Sequence, residues 1–394
     1  MNSAEPVVHS SAHTVAETIA PSKPAADRVL AIDAVRGFDM LWIAGPEAGH
    51  WLVSSLVVLL LGSMPAGLAY QMDHHWGGFT AWDLIMPLFL FIVGTAMPFS
   101  LGRRLEAGDS RTAIYSKALR RAALLWVLGM ISQGNLLQFR LDRLELYSNT
   151  LQAIAAGYLI ATVVMVELRQ IRWQVVTAAG LLLTYWLVMA LIPPPGGTAG
   201  DYSKGSNLAE WIDRAVLGSF RNERPNYHYT WILSSLGFGA TTLLGVFAGY
   251  LLRSPLPATR KLLALIGGGL ALLLAGWLWE FTLPCIKHLW TSSMVLWAGG
   301  WSVLVLAAFY GLIDVLGWRR WCFPLVVIGA NAIVAYMAQP LFDVHHLGIH
   351  LFGGFSKLFG AGADFVLALL TCTALWAVLW LLYRSEERRV GKEC

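Results

Sequence analysis

Charged residues are scarce in this chain of 394 residues. Lys, Arg, Asp and Glu make up 13% of it, whereas hydrophobic residues make up 57% and the mean hydropathy is +0.59. A soluble domain contains about 25% charged residues and cannot bury so much apolar surface. The scarcity of charge excludes a soluble enzyme, a nucleic-acid-binding protein and a disordered scaffold. With 18 tryptophans and 38 glycines, the composition predicts a membrane protein whose surroundings are lipids.

Cysteine is scarce as well. Cys285, Cys322 and Cys372 lie in separate segments without CxxC or zinc-ligand spacing, so they give no redox signal and we expect packed thiols. The fourth, Cys394, belongs to the final string RSEERRVGKEC (384–394). This string is the in-frame translation of a common sequencing adapter, so we expect residues 384–394 to be an artefact; the alternative is a short natural cytoplasmic tail. Phosphate-binding loops, G-x-S-x-G elbows and zincin motifs are also missing from the sequence.

Long apolar runs dominate the rest of the chain. Residues 1–27 are rich in Ala, Ser and Pro and have no apolar stretch, which predicts a disordered cytoplasmic tail and not a signal peptide. Beyond them we predict an all-α polytopic membrane protein with about ten transmembrane helices, since runs long enough to cross about 30 Å of hydrocarbon recur. They are residues 35–62, 79–101, 115–133, 149–168, 173–192, 230–252, 261–282, 293–316, 323–341 and 365–383. The first contains Gly45 and Pro46, so we expect it to be broken or tilted.

The distribution of basic residues predicts the orientation. Outside the final string, sixteen of the Lys and Arg residues fall on one side of the predicted helices and eight on the other. The positive-inside rule then places both termini in the cytoplasm and the loop 193–229 outside. All eight histidines beyond the N-terminal tail fall at the outer face: His50, His74, His75, His228, His288, His345, His346 and His350. This clustering indicates a polar, proton-handling site that opens to the outside.

The densest group of reactive side chains is the segment DHHWGGFTAWD at 73–83. A histidine here can act as a general base, with Asp73 or Asp83 orienting it and stabilising its charged form. Asp83 begins an apolar run, where a carboxylate is costly unless it faces a wet cavity or a partner. The alternative is an interfacial belt of Trp, His and Asp that caps a helix.

The first predicted helix carries charges on one face near its cytoplasmic end. Asp33, Arg36 and Asp39 recur every three residues. Either they form a structural ion pair, or Arg36 helps to bind an anionic cytoplasmic ligand while Asp39 orders it. Glu47 lies two turns further along, and an ionisable residue at this depth is a functional candidate.

Other polar residues interrupt the later apolar runs. Asn149, Gln152 and Asn331 either line a cavity and bind substrate or form hydrogen bonds between helices. His346 and His350 are spaced for one helical turn, but no third ligand is defined, so we predict no metal.

Five blocks together resemble one family, the heparan-α-glucosaminide N-acetyltransferases and their bacterial homologues. The blocks are RVLAIDAVRG (28–37), WGGFTAWDLIMPLFLFIVG (76–94), LQAIAAGY (151–158), KHLWTSSMVLWAGG (287–300) and IGANAIVAY (328–336). The resemblance implies that residues 28–383 form a transmembrane acyltransferase domain, in the inner (plasma) membrane of a bacterium. Such an enzyme moves acetyl from cytoplasmic acetyl-CoA to the amine of a glucosamine-type sugar on the far side. It also implies a possible homodimer.

In this family a histidine shortly before the W-x-G motif is catalytic. Most members place it three residues before the tryptophan, where this chain has Asp73. The resemblance therefore assigns the general base to His74, with His75 as the alternative or as a substrate-binding residue. Glu47 stands where lysosomal members have a catalytic asparagine, and Asp83 completes the predicted catalytic set. Arg36 and Asp39 are the predicted acetyl-CoA-binding residues. Direct transfer and a two-step route through acetyl-histidine both fit.

Two other classes of protein remain open. A multi-pass transporter or flippase for a small polar or glycan substrate would also show about ten helices and buried carboxylates, although the sequence has no evident internal repeat. A binding or assembly protein that has lost catalysis is the third possibility, if the Asp73 position displaces the histidine from the site.

Overall fold

The computed structural model of the protein describes residues 29–134, 136–222, 224 and 227–390. Side chains at 44–49, 141 and 386–390 are outside this description, and so are the predicted N-terminal tail and residues 391–394. Fifteen α-helices and no strands occur in the described part. They are α1 (Leu30–Leu61), α2 (Ala66–Gln71), α3 (Ile85–Met97), α4 (Arg103–Glu106), α5 (Arg111–Gln133), α6 (Thr150–Glu167), α7 (Ile171–Leu191), α8 (Leu208–Leu217), α9 (Ser235–Arg253), α10 (Ala258–Glu280), α11 (Ser292–Tyr310), α12 (Phe323–Ala330), α13 (Ala332–Phe342), α14 (Val344–Ser356) and α15 (Ala363–Val390).

The prediction of an all-helical, multi-pass membrane protein agrees with this architecture. Seven helices of the described residues are long and apolar enough to cross a membrane, or eight if the bent pair α12 and α13 forms one span. The count of ten and the side of the termini stay predictions. Two of the ten predicted spans are not among these eight. One is α5, whose first half carries Arg111, Lys117, Arg120 and Arg121. The other is α1, which is described as an apolar helix only over His50–Leu61.

The first apolar segment, expected to be broken or tilted because of Gly45 and Pro46, is not interrupted there. The backbone of α1 is helical from Leu30 to Leu61, over 32 residues. At about 1.5 Å per residue such a helix can span a bilayer with some tilt. The break lies instead between α12 and α13, which meet at Asn331 with a bend of 62°. Asn331 has φ −108° and ψ 27°, outside helical geometry.

Glycines set the closest helix crossings. A Cβ atom at Gly94 of α3 would collide with the Thr242 carbonyl of α9, and one at Gly245 of α9 would collide with the Phe91 carbonyl of α3. Reciprocal glycines let two backbones touch, which is the way that apolar helices gain van der Waals contact within a membrane. This contact fixes the position of α3, which follows the segment 73–84.

Four helix starts face a common region of the bundle. The turn Ala81–Leu84 leads into α3, Asn149 caps α6, and short polar segments precede α9 and α11. The Asn149 side chain accepts the Leu151 N–H at 2.8 Å, which satisfies a backbone donor that the helix leaves free. The first N–H groups of these helices give this end of the bundle a partial positive charge.

Candidate active site

A cavity of about 290 Å³ opens where these helix starts converge. Its wall combines the middle of α1 and α13, the end of α5, the beginnings of α3 and α6, and the segments before α9 and α11. The lining residues are Trp42, Ile43, His74, Trp82, Ile85, Met86, Gln133, Ser148, Thr150, Tyr227, Tyr229, Trp231, Lys287 and Tyr336. A pocket with apolar walls and a few convergent polar groups is the usual form of a small-molecule site.

His74, which lines this cavity, forms a hydrogen-bonded pair with the buried Asp83. The distance from His74 Nδ1 to Asp83 Oδ1 is 2.7 Å, and Asp83 is 1% exposed. The other carboxylate oxygen, Oδ2, accepts the Thr80 N–H at 3.0 Å, as the third residue of a capping box at the turn 81–84. Because an ionised carboxylate can only accept, His74 Nδ1 carries the proton and Nε2 is its basic nitrogen. The local turn therefore presents a histidine in the tautomer that a general base needs.

Lys287 completes a cluster with this pair. Its Nζ lies 3.6 Å from Asp83 Oδ1, and 3.4 Å and 3.3 Å from His74 Nδ1 and Nε2. The lysine is 4% exposed and also donates to the Trp82 carbonyl at 3.4 Å. Lys287 begins the block 287–300, but it was not among the residues predicted for the site from the sequence. The available signal was its position between the apolar residues Ile286 and Leu289, where a lysine is costly unless paired.

Burial lowers the pKa of two histidines in this region, His74 and His288. The pKa of His74 is lowered from its ordinary value mainly by burial, against the hydrogen bond that His74 donates to Asp83, which raises it; the Lys287 charge lowers it further. His288, whose ring lies 6.4 Å from that of His74, has its pKa lowered to about 4 by burial, with His74 and Lys287 adding to the effect. A neutral imidazole at neutral pH can accept a proton, so His74 is available as a base.

Arg36 and Asp39 lie outside this cavity. Asp39 lines a second cavity of about 260 Å³, which shares Trp42, Trp82 and Ile85 with the first. The carboxylate is 1% exposed, and neither oxygen has a hydrogen-bond partner among the described residues. Arg36 Nη1 is 3.3 Å from Asp33 Oδ1 on the same helix. The contact between Arg36 and Asp33 agrees with a structural ion pair. The unpartnered carboxylate of Asp39 agrees with a ligand-binding role, which stays a prediction.

His75, the alternative base, points elsewhere. Its ring stacks on Tyr70 with 4.1 Å between centroids, and Nε2 is 3.2 Å from the Tyr70 carbonyl oxygen. It does not line the cavity that His74 lines. Glu47 belongs to the helical backbone of α1, but its side chain lies outside the described residues.

The predicted substrate-binding amides make contacts within the protein. Gln152 Oε1 accepts the N–H groups of Ser148 and Asn149 at 2.8 and 3.1 Å, and Asn149 Nδ2 donates to the Tyr336 hydroxyl at 2.9 Å. Asn331 Nδ2 donates to two backbone carbonyls, those of Val327 and Leu379. None of these three amides lines the cavity, although Tyr336 does. Their substrate-binding role stays a prediction.

An aromatic segment also lines the cavity. Its role was not predicted from the sequence. Tyr227, Tyr229 and Trp231 alternate along the chain just before α9 and all line the cavity. Asp213 of α8 holds this segment, since its carboxylate accepts the N–H groups of Trp231 and Ile232 at 2.7 and 2.9 Å. The signal was the alternation of aromatic residues within 227–231, next to the outer loop.

The described residues contain no group of three or more His, Cys, Asp or Glu side chains that could hold a metal ion. The cluster itself offers a base, a carboxylate and an ammonium group. A base beside a buried ammonium group suits proton removal from a nucleophile together with stabilisation of a developing oxyanion.

Comparison with known proteins relates the chain to one group of enzymes. No protein-family model matches it. The human heparan-α-glucosaminide N-acetyltransferase is 24% identical over 391 residues, covering 84% of this chain and 58% of that protein. The mouse protein of the same name is 24% identical over 393 residues with the same coverage. The chain thus spans less than two thirds of the length of these relatives. This distant similarity over most of the chain supports the family indicated by the five sequence blocks, without selecting a particular member.

Proposed function

We propose that the protein is a transmembrane N-acetyltransferase that moves acetyl from acetyl-CoA to the amine of a glucosamine-type sugar. The cluster in which His74 and Lys287 line one cavity and Asp83 pairs with both carries the proposal. Similarity to N-acetyltransferases supports the reaction type, and the block 76–94 supports the position of the site.

His74 acts as the general base in this proposal. An ammonium group has no lone pair and cannot attack a thioester, so the acceptor reacts as the neutral amine, and its nitrogen passes a proton to His74 Nε2 as the new C–N bond forms. Asp83 keeps the proton on Nδ1 and stabilises the imidazolium that results. When the C–S bond breaks, the electron pair leaves with sulfur, and the proton held by His74 can pass to the thiolate. The reaction then balances as amine plus thioester giving amide plus thiol.

Lys287 serves two purposes in the same step. Its ammonium group offsets the buried charge of Asp83, 3.6 Å away. It also lines the cavity, where it can stabilise negative charge on the acetyl oxygen as the amine attacks. The proposal assigns it this electrostatic role and not that of a base, because a protonated amine has no lone pair to accept a proton.

The second cavity suits the acyl donor. It is lined mostly by apolar side chains, it contains the unpartnered Asp39, and it shares three wall residues with the His74 cavity. Acetyl-CoA cannot cross a bilayer, so its arm must pass between helices while its phosphates stay near basic groups such as Arg36. We place the donor side in the cytoplasm and the acceptor side outside, in a bacterial inner membrane, on the basis of the positive-inside distribution.

The test uses the purified full-length protein in detergent with radiolabelled acetyl-CoA and a panel of amino sugars. We expect labelled sugar with the wild type, none above background with His74→Ala, and retained transfer with His75→Ala. The reverse pattern would move the base to His75. If no amine accepts label and acetyl-CoA fails to raise the melting temperature, the acetyltransferase proposal is wrong, and uptake of labelled amino sugars into proteoliposomes would test the transporter alternative.

Incubation with labelled acetyl-CoA alone separates the two chemical routes. We favour direct transfer, because one histidine flanked by carboxylates is sufficient for it. Direct transfer leaves the protein unlabelled in the absence of an acceptor. A covalent acetyl-histidine would carry label through rapid denaturation and would be lost in His74→Ala.

A further inference from the structure

Glu145 is a buried carboxylate that the proposed chemistry does not use. It lies in the segment between α5 and α6 and is 7% exposed. Oε2 accepts hydrogen bonds from Ser148 Oγ at 2.6 Å and from Asn222 Nδ2 at 3.1 Å. No ion pair of Glu145 with a cation occurs among the described side chains. A buried carboxylate held only by neutral donors keeps much of its desolvation cost, so a further group that approaches it gains a strong interaction.

The segment that carries Glu145 is held firmly. The Glu145 N–H donates to the Gly134 carbonyl at 3.2 Å, and the Leu146 N–H to the Phe220 carbonyl at 2.9 Å. The Ser148 carbonyl accepts the Tyr227 hydroxyl at 3.0 Å. The position of the Ser148 hydroxyl is therefore fixed by its surroundings before any ligand arrives.

Ser148 connects this carboxylate to the cavity. Its hydroxyl is committed to Glu145, yet Ser148 lines the same cavity as His74 and Lys287. A hydroxyl has one proton, so once that proton is given to Glu145 the oxygen can only accept further hydrogen bonds. The negative charge behind it strengthens that acceptance, because linked hydrogen bonds polarise one another. Thr150 and Tyr336 add hydroxyl groups to the same wall.

We propose that Glu145 and Ser148 form the acceptor-recognition end of the cavity, where Ser148 Oγ receives a hydroxyl hydrogen of the acceptor. The proposal rests on the acetyltransferase function and deepens it. The acceptor amine lies at His74 while a hydroxyl of the same molecule lies at Ser148, so the site selects amines that carry hydroxyl groups. Ser148 touches the acceptor, and Glu145 is a positioning residue that acts through it.

The test compares two amines of similar ring size in steady-state acetyl transfer, glucosamine and cyclohexylamine, which has no hydroxyl group. In Ser148→Ala we expect the KM for glucosamine to rise about 10- to 100-fold, as expected for losing a hydrogen bond coupled to a charged group. The values for cyclohexylamine and the KM for acetyl-CoA should stay unchanged. Glu145→Gln should act in the same direction with a smaller effect, because its amide oxygen still accepts from Ser148.

Ser302→Ala is the matched control. Ser302 is also a buried serine, and its hydroxyl donates to the Ala298 carbonyl at 2.7 Å away from the cavity lining. If a loss of packing were the only effect, both serine variants would have a lower melting temperature, or a lower kcat with both amines. An unchanged ratio of glucosamine to cyclohexylamine kcat/KM in Ser148→Ala would overturn the proposal while leaving the acetyltransferase function in place.

A binding measurement covers the case in which the wild type transfers no acetyl group. Calorimetric titration with glucosamine then compares the wild type with Ser148→Ala and with Ser148→Gly, both of which lack the hydroxyl. Binding by the wild type that both variants weaken would support recognition at Ser148 even though the proposed reaction had failed. Equal binding by all three proteins would contradict it.

Discussion

Two histidine–aspartate pairs in this molecule have almost the same geometry and different surroundings. His74 Nδ1 lies 2.7 Å from Asp83 Oδ1, and the two side chains are 30% and 1% exposed. His346 Nδ1 lies 2.8 Å from Asp343 Oδ2 at the start of α14, and those side chains are 70% and 57% exposed. His74 lines a cavity with Lys287 and rests on the buried Asp83, whereas the second pair is mostly exposed and its Asp343 caps α14.

Because the two distances are nearly equal, we expect burial, and not distance, to decide which pair is reactive. Water screens charges at an exposed pair, so that such contacts contribute little. Around His74 the low exposure strengthens each charge interaction and also penalises the charged imidazole, as its lowered pKa indicates. We therefore expect changes at the buried pair to have large effects on reaction and stability, and the same changes at the exposed pair to have almost none.

Removal of the base should have the largest effect. We expect His74→Ala to lower kcat/KM for acetyl transfer by about 10²- to 10⁴-fold, the usual contribution of general acid–base catalysis. Added imidazole should restore part of the rate, because the truncation leaves room beside Asp83. Steady-state assays with and without imidazole measure this. A kcat/KM that falls by less than about ten-fold would move the base to another residue.

Removal of the carboxylate should mainly reduce stability. Asp83→Asn leaves the ammonium group of Lys287 without its buried partner, which costs about 3–5 kcal/mol in comparable buried pairs. The double variant Asp83→Asn/Lys287→Met should recover part of this loss, because it removes both charges. Thermal unfolding in detergent gives the comparison. If the double variant loses more free energy of unfolding than the two single variants lose together, the ion pair is not the cause.

Removal of the lysine alone should slow the reaction less than removal of the base. For Lys287→Met we expect kcat to fall by about 10²-fold, the lower range for loss of one group that stabilises an oxyanion. The KM for the acceptor should change little, since the lysine acts on the transition state. A rise in KM with unchanged kcat would assign Lys287 to substrate binding.

The pH dependence should follow from the lowered pKa of His74. Activity needs the neutral imidazole, so we expect the acidic limb of kcat/KM to lie below the ordinary histidine value of about 6.5. Since the Lys287 charge lowers the pKa of His74, residual activity of Lys287→Met should show this limb at higher pH. A limb that stays in place would indicate that burial alone sets it.

The stability of the protein, like its activity, should decrease in mild acid. His74 and His288 both have folded-state pKa values below those of the unfolded chain, so the unfolded state binds more protons in mild acid. The free energy of unfolding should then fall as the pH drops from about 6.5 towards the folded value of about 4 for His288. His288→Phe should flatten this slope, as thermal unfolding at several pH values would show.

Sequence patterns predicted the helices better than they predicted the cavity. Apolar runs located α3, α6, α7, α9, α10 and α11 to within a few residues, because lipid-crossing length demands such runs. The bend at Asn331 was missed, since one asparagine in an apolar run gives no sign of a 62° turn. Of the two alternatives expected for the segment with Gly45 and Pro46, a break is excluded, since the helical backbone continues through both residues, and a tilt stays a prediction.

In the candidate site, contacts between residues close in the sequence could be predicted, and contacts between distant residues could not. His74 and Asp83 lie nine residues apart, and their pairing was within reach of local reasoning. Lys287 is 213 positions from His74, and Ser148 and Tyr229 come from other loops, so only the packing of α3, α6, α9 and α11 joins them. Asn149 and Gln152 were conspicuous in the sequence, yet their strongest contacts form a helix cap. A polar residue in an apolar run can satisfy the backbone as easily as a ligand.

The smallest effect should come from the exposed pair, and this completes the comparison. His346→Ala removes an imidazole that is 70% exposed and leaves Asp343 able to accept the N–H at position 346 as the cap of α14. We expect kcat/KM to change by less than about two-fold, in the range of surface substitutions. Assays of His346→Ala beside His74→Ala, under identical conditions, measure the contrast directly. Because both substitutions remove the same imidazole from a carboxylate at nearly the same distance, a large loss at His346 would mean that the pair distance, and not burial beside Lys287, governs the chemistry.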